Sequence, residues 1–177
     1  SQIDLSFGSY TNVHGTHFWA GENHGGLFGS GNEEPNIVFS SIDITGKTDL
    51  TFKGLFAANN VSAAFENQAL GHSHSDYVIV EYSIDGGSYQ PLLRFFANNT
   101  TSSGTNNKSL AEDTNGDGIG DGDILTTTFS EFSKSIPETG NTITLRLKAY
   151  SNSASEEWAV DYFQLESSIP STTLATV

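Results

Sequence analysis

Short runs of alternating apolar and polar residues, separated by turn-forming residues, constrain the fold of this chain more than any other feature. In the run 49–57, Leu50, Phe52, Gly54 and Phe56 fall on one face, because strand side chains alternate with a period of two. The pattern predicts an all-β antiparallel β-sandwich, jelly-roll-like, with about eight strands and long loops. The predicted strands cover residues 2–7, 37–44, 49–57, 76–84, 89–96, 125–132, 142–150 and 158–166.

The chain of 177 residues is long enough for one domain with its own hydrophobic core. Residues 1–166 are expected to form a single β-sandwich binding domain. Residues 167–177 carry Pro170 within a Ser/Thr run and are expected to form a C-terminal linker. The stretches 9–34 and 59–75 have no strand period, and loops of this length are usually functional.

The composition restricts both the partners and the compartment. A formal net charge of −14 disfavours nucleic acid and anionic membrane surfaces, and no apolar run is long enough to insert into a membrane. The chain has no Cys, so disulfides cannot stabilise it. Calcium is the other common stabiliser of extracellular modules, and we therefore expect a secreted or cell-surface location.

The clearest chemical signature is the acidic loop, defined here as residues 113–123. Oxygen-bearing residues recur at every second position, and Gly118 holds the glycine position of an EF-hand loop. The twelfth position, which requires a bidentate Glu, is Ile124, and a strand-like run follows instead of a helix. We therefore predict an inter-strand calcium site. Its candidate ligands are Asp113, Asn115, Asp117, the carbonyl of Ile119, Asp121 and Asp123.

A second acidic group surrounds the last predicted strand. Glu157 and Asp161 share one face of that strand, and buried carboxylates require a cation nearby. They are predicted calcium ligands, with Asp76 and Glu22 as candidates to complete the coordination. An exposed acidic strand face is the alternative. More than one Ca²⁺ is expected in total.

Histidines and aromatic residues in the long loops are the candidate ligand contacts. His72 and His74 could bind zinc as alternate residues of a strand, although contact with a ligand or plain surface exposure are open alternatives. Trp19 and Tyr10 could form a platform for sugar rings or plug the end of the sandwich. No nucleophile elbow or phosphate loop is present, so no catalytic residue is predicted. The predicted ligand-binding residues are Trp19, Asn23, His24, His72, His74 and Trp158.

Several of these segments together resemble a module of large secreted marine bacterial proteins, found in calcium-rich RTX adhesins and beside extracellular nucleases and polysaccharide-degrading enzymes. The resemblance spans roughly residues 35–166, with Asn115 and Trp158 departing from the usual residues. It implies a β-sandwich that holds several Ca²⁺ ions and captures peptide ends on host cell surfaces. The segments that carry it are Asp76–Gln90, Leu92–Leu93, the acidic loop, Leu125–Thr126, Leu145–Leu147 and Glu157–Phe163.

The leading functional hypothesis is a non-catalytic, calcium-dependent peptide-binding module of a secreted adhesin, acting in cell adhesion and biofilm formation. We expect a monomeric module within a larger chain, with its ligand held by loops around the acidic loop. A carbohydrate-binding module of a secreted polysaccharide-degrading enzyme is the alternative, and a structural spacer is the third. A carbohydrate binder should expose aromatic rings, whereas a binder of peptide ends should have a narrow pocket beside Ca²⁺.

Overall fold

A computed structural model describes residues 10–23, 36–59, 65–98 and 108–168 of the chain. Regular structure in these ranges consists of ten strands and one short 3₁₀ helix, Gln68–Leu70. The strands in chain order are β1 (Trp19–Gly21), β2 (Asn36–Val38), β3 (Ile42–Asp43), β4 (Thr48–Ala58), β5 (Tyr77–Ile84), β6 (Gln90–Ala97), β7 (Leu110–Glu112), β8 (Ser130–Ile136), β9 (Thr142–Tyr150) and β10 (Trp158–Ser168).

The strands form two sheets. The first has the order β1-β10-β4-β8, and the second has the order β2-β9-β5-β6-β7, with β3 also paired to β9. Neighbouring strands pair in antiparallel fashion throughout both sheets. The predicted all-β antiparallel sandwich is therefore confirmed.

Aromatic residues of both sheets interlock in the core. Phe56 of β4 lies 4.9 Å from Phe95 of β6 between ring centroids, and Phe95 lies 4.8 Å from Phe132 of β8. All three side chains are buried, as the alternation of each strand requires. A smaller cluster, which includes Phe129, is covered by the rings of Tyr10 and Phe18.

A bulge interrupts the pairing of β10 with β4. Asp161 pairs with Leu55 and Gln164 pairs with Lys53, so two residues of β10 face the single residue Gly54. These two residues are Tyr162, whose φ of 50° is positive, and Phe163. A Cβ atom at position 54 would lie 2.8 Å from the Phe163 ring, which explains the glycine.

Most predicted strand boundaries agree with the structure, and 142–150 coincides with β9. The predicted strand 37–44 is divided into β2 and β3, and the ring of Phe39, which lies between these strands, packs against Trp19 and Phe163. The predicted strand 125–132 begins only at Ser130, because the preceding Thr side chains hydrogen-bond local backbone. Strand β7 was missed. The predicted strand 2–7 lies outside the described residues.

The C-terminal boundary differs slightly from the prediction. Strand β10 continues through Ser168, so the first two residues of the expected linker belong to the sandwich. Residues 169–177 lie outside the described part of the chain. Among the described residues, no helix has the length and apolar character needed to cross a membrane.

Candidate functional site

An open pocket of about 250 Å³ lies where β1 meets β10 at the edge of the first sheet. The register places Trp19 opposite Val160, and the bulge that follows turns the next β10 side chains toward the same region. We call this the aromatic pocket. It is lined by His17, Phe18, Trp19, Phe39, Val160, Asp161, Tyr162 and Phe163.

Two aromatic rings of the pocket are exposed to solvent and supported from behind. Trp19 is 47% exposed and stacks on Phe39 with a centroid distance of 6.1 Å and an interplanar angle of 12°. Tyr162 is 41% exposed and stacks on His14 at 3.6 Å with an angle of 21°. Since large apolar side chains are usually buried, these supported and exposed rings indicate a binding surface.

The carboxylate of Asp161 is fixed at the rim of this pocket. Its Oδ2 accepts a hydrogen bond from the backbone N–H of His14 at 2.8 Å, and its Oδ1 accepts one from that of Tyr162 at 2.7 Å. Asp161 and Glu157 were both predicted to be calcium ligands. Four positions along an extended strand span about 13 Å, so the two carboxylates would need separate ions. Asp161 lines the aromatic pocket, and calcium binding by either residue stays a prediction.

Glu157 instead lies close to Glu22. The pairing of Gly21 with Trp158 puts these two glutamates side by side at the strand ends, and Asn59 donates its backbone N–H to the Glu157 carbonyl at 2.9 Å. Burial, followed by the negative charges of Glu157 and Glu22, raises the pKa of Tyr10. The structure therefore joins two of the four residues expected in the second calcium group.

The acidic loop runs along β7 and is folded by hydrogen bonds from backbone N–H groups to its own side chains. Asp113 Oδ2 accepts from Gly118 at 3.1 Å, Asn115 Oδ1 accepts from Asp117 at 2.9 Å, and Asp117 Oδ1 accepts from Ile119 at 2.9 Å. These bonds wind the loop into successive turns of the kind that the side chains of Asp and Asn favour. Ile119 is half-buried, whereas Asp117 is exposed.

Two further contacts set the charge of the acidic loop. The Arg94 Nε atom lies 3.5 Å from Asp113 Oδ2, which is buried, so this carboxylate already has a counter-ion. The backbone N–H and hydroxyl of Thr114 hold the pKa of Asp121 below its usual value, so that carboxylate stays ionised. Asp123 is exposed, and its carboxylate takes part in neither of these two contacts. Calcium binding by the loop stays a prediction.

A tighter set of ligand atoms lies in the neighbouring 65–76 segment. Within the described ranges, one group of three Asp, Glu or His side chains brings its ligand atoms within 4.8 Å of one another, namely Glu66, His74 and Asp76. We call it the carboxylate–histidine cluster. His72 points elsewhere, with its Nε2 3.4 Å from Lys108 Nζ, so His72 and His74 do not form the zinc pair that the sequence suggested.

The predicted ligand-binding residues do not form one site. Trp19 lies in the aromatic pocket and Asn23 follows Glu22 at the end of the sandwich, while His72 and His74 belong to the 65–76 segment. Trp158 is 5% exposed and lies in the core, so its assignment to the ligand site is wrong. Its inward orientation follows from the alternation of β10. His24 lies outside the described residues.

Several residues of these sites were not found from the sequence. Tyr162, Phe39 and Phe163 belong to predicted strands and read as core or surface positions. The bulge in β10 brings Tyr162 and Phe163 to the pocket, and Phe39 reaches it from the residues after β2. Glu66 belongs to the carboxylate–histidine cluster and Glu156 acts on it electrostatically, although the two residues are far apart in the sequence. The signal that pointed to the pocket was the exposed aromatic character of the loop around Trp19.

No protein-family model matches this chain, and no curated protein matches it. Solved structures that are similar to it include two binding modules. One is the carbohydrate-binding module CsCBM6-3 of Clostridium stercorarium in complex with cellobiose, with 14% identity, a TM-score of 0.36 and coverage of 95% of this chain and 94% of that chain. The other is the CBM22-1 xylan-binding domain of Paenibacillus barcinonensis Xyn10C, with 14% identity, a TM-score of 0.30 and coverage of 75% and 65% respectively.

Proposed function

We propose that this chain is a non-catalytic, calcium-stabilised binding module of a secreted protein, and that its aromatic pocket takes a sugar ring of an extracellular glycan. The observation that carries this proposal is the pair of exposed, supported rings of Trp19 and Tyr162. A pyranose ring has an apolar C–H face and a polar rim. An aromatic ring that is held in place can bury the apolar face without losing much side-chain entropy.

The size and polarity of the pocket suit such a ligand. A volume of about 250 Å³ is at the small end of ligand pockets, which fits one sugar residue of a chain better than a whole oligosaccharide. His17 and Asp161 supply polar groups beside the rings and can meet the hydroxyl rim. Because both oxygens of Asp161 are already held by backbone N–H groups, its position is set before the ligand arrives.

The residues of the pocket favour binding over glycoside hydrolysis. Hydrolysis by the common mechanisms requires two carboxyl groups on opposite sides of the scissile bond. Among the lining residues the single carboxylate is Asp161, which accepts two backbone hydrogen bonds. This chemistry supports a module that holds a glycan while another domain acts on it.

A peptide ligand, which the adhesin resemblance implies, has less support from the geometry. That function calls for a narrow pocket beside a bound calcium ion. The aromatic pocket lies at the β1 and β2 edge of the sandwich, whereas the acidic loop follows β7 and leads to β8 at the other edge. Calcium in the acidic loop would therefore stabilise the fold without touching the ligand in the aromatic pocket.

The experiment is a glycan array and a peptide array, each probed with the calcium-loaded chain, followed by calorimetry on the best ligand. We expect glycan binding, with the association constant reduced about 10-fold or more by Trp19→Ala and by Tyr162→Ala, as for central aromatic contacts in interfaces. Ile42→Ala is the matched control, since Ile42 is also 41% exposed but lies on β3 outside the pocket. Binding of peptides alone, or a glycan affinity that Trp19→Ala leaves unchanged, would contradict the proposal.

A further inference from the structure

The carboxylate–histidine cluster lies apart from the aromatic pocket, where the 65–76 segment leads into β5. The Nε2 atom of His74 is 3.0 Å from Glu66 Oε2 and 4.0 Å from Asp76 Oδ1. Zinc-type ions bind nitrogen and oxygen ligands at about 2.0–2.1 Å, which sets the ligand atoms of a tetrahedral site about 3.3 Å apart. The three ligand atoms lie within 4.8 Å of one another, so modest side-chain shifts would bring them to the spacing that such an ion requires.

The buried carboxylate of Asp76 indicates that a cation belongs here. The Asp76 side chain is 0% exposed, and its Oδ1 atom, which faces His74, has no hydrogen-bond partner among the described residues. Its other oxygen accepts the backbone N–H of Glu66. A buried carboxylate oxygen without a partner is costly, and a metal ion between Asp76 and His74 would supply the missing interaction.

The charge around Asp76 is negative rather than balanced. Glu156 is buried nearby, and its Oε2 accepts backbone N–H groups from Asn152 at 3.0 Å and Ser153 at 2.8 Å. The carboxylates of Glu156 and Glu66 both act electrostatically on Asp76 and add negative charge beside it. The ion pairs of Arg94, Lys134 and Arg146 are made with other carboxylates, so they do not neutralise this group.

A fourth ligand, and the third oxygen, is available from Asn152. With its amide oriented so that Nδ2 donates to Glu66 Oε2 at 3.3 Å, its Oδ1 accepts the Nε2–H of His74 at 2.7 Å, and a bound metal ion would take the place of that proton. The amide oxygen then faces the same space as the Glu66 and Asp76 oxygens. One nitrogen and three oxygens complete a four-ligand set.

The imidazole of His74 is already held in the orientation that a metal ligand needs. Ser73 Oγ lies 2.9 Å from His74 Nδ1, and the ring packs against Tyr150 with a centroid distance of 5.9 Å. Histidine ligands of metals typically donate their second ring N–H to a neighbouring oxygen, which fixes the tautomer and leaves Nε2 free to bind. Ser73 provides that acceptor, so it is a positioning residue.

We propose that Glu66, His74 and Asp76, together with Asn152, form a binding site for a divalent transition-metal ion of the zinc class. Calcium takes six to eight oxygen ligands, whereas imidazole nitrogen beside carboxylates suits zinc, manganese and related ions. The site is distinct from the acidic loop and does not depend on the nature of the ligand in the aromatic pocket. Its role is to neutralise the buried carboxylates and to fix the 65–76 segment against the residues before β10.

The test uses the 177-residue chain, stripped of metal, reloaded with excess Ca²⁺ and titrated with ZnCl₂ by calorimetry. We expect one Zn²⁺ to bind per chain in the presence of calcium. His74→Gln should weaken zinc binding at least about 100-fold, and Ser73→Ala about 10-fold, the range seen when ligands or their supporting residues are changed. His72→Gln is the matched control and should bind zinc as the wild type does.

A second measurement needs no variant. Co²⁺ bound to the wild-type chain should give the intense visible absorption of a four-coordinate ion with a nitrogen ligand, and Zn²⁺ should displace it. The weak spectrum of a six-coordinate ion would overturn the proposal. So would zinc binding that excess calcium abolishes in the wild type, or zinc affinities of His74→Gln equal to those of His72→Gln.

Discussion

The side chain of Asn67 donates a hydrogen bond from Nδ2 to the carbonyl oxygen of Gly118 at 2.7 Å, which joins the 65–76 segment to the acidic loop. The same Nδ2 donates to the carbonyl of Ala97 at 3.0 Å, and Oδ1 accepts the backbone N–H of Ala69 at 2.9 Å. Asn67 is fully buried. One amide therefore links two loops to the end of β6.

Asn67→Ala should destabilise the protein by about 2–4 kcal/mol, because it removes the donor of the Gly118 carbonyl, one of two donors of the Ala97 carbonyl, and the acceptor of the Ala69 N–H. Urea denaturation at fixed calcium concentration measures this difference. Gln68→Ala changes the exposed neighbour and should alter the stability by less than about 0.5 kcal/mol. Equal stabilities of the two variants would show that the link between the loops contributes nothing.

Removal of calcium should lower the melting temperature by about 5–10 °C, since a ligand at 100 times its dissociation constant stabilises a domain of this size to that extent. Differential scanning calorimetry with a calcium-selective chelator, and then with calcium restored, checks this expectation. Asp117→Ala should weaken calcium binding, whereas Asp43→Ala, which removes an exposed carboxylate on β3, should not. An unchanged melting temperature without calcium would contradict the prediction that the acidic loop binds calcium.

Asp85→Ala should lower the melting temperature at pH 7 but much less under acid conditions. The backbone N–H groups of Thr142 and Asn141 donate to Asp85 Oδ1 at 2.8 Å and 2.9 Å, and they hold the pKa of Asp85 below its usual value. A carboxylate with a lowered pKa stabilises the folded state above its unfolded-state pKa of about 4, and this contribution is lost as the pH falls through the folded-state pKa. Melting curves at several pH values measure the difference in melting temperature between Asp85→Ala and the wild type.

Ser88→Ala, in the same hairpin, is the control for Asp85→Ala. Ser88 is exposed, and its substitution should leave the melting temperature unchanged across the pH series. If the difference in melting temperature between Asp85→Ala and the wild type is as large in acid as at pH 7, the charge of the carboxylate is not the stabilising feature.

Gly54→Ala should both destabilise the fold and weaken ligand binding. The new Cβ atom would lie 2.8 Å from Phe163, and overpacking of this kind costs about 1–3 kcal/mol. Because Phe163 lines the aromatic pocket, its displacement should also lower glycan affinity. Denaturation and calorimetry measure the two effects, and Thr51→Ala on the same strand serves as control. If Gly54→Ala has the stability and the glycan affinity of the wild type, the Phe163 ring can move aside without cost.

The alternation of apolar residues was sufficient to predict the sandwich. Residues 142–150 and 49–57 follow the period of two so regularly that their strands lie almost where the sequence puts them. The strand β7, with three residues, is too short to show a period. Its pairing with β6 comes from the tertiary structure.

The binding residues were predicted less completely, because their positions depend on pairing between distant segments. Trp19 stood out as an aromatic residue in an aperiodic stretch, but Tyr162 became part of the pocket only through the bulge in β10. Glu66 and Asp76 are ten positions apart, and no spacing rule connects them to His74. Gly54 within a regular strand was the local signal that a bulge lay opposite.

The bulge in β10 also separates two roles of this strand, which are pairing with β4 and lining the aromatic pocket. Residues before and after it keep the hydrogen-bond register with β4, while the extra residue, Tyr162, is free of any partner position on that strand. Substitutions at position 162 are therefore expected to change the surface of the aromatic pocket without shifting the pairing of β10 with β4, provided that position 54 keeps its glycine.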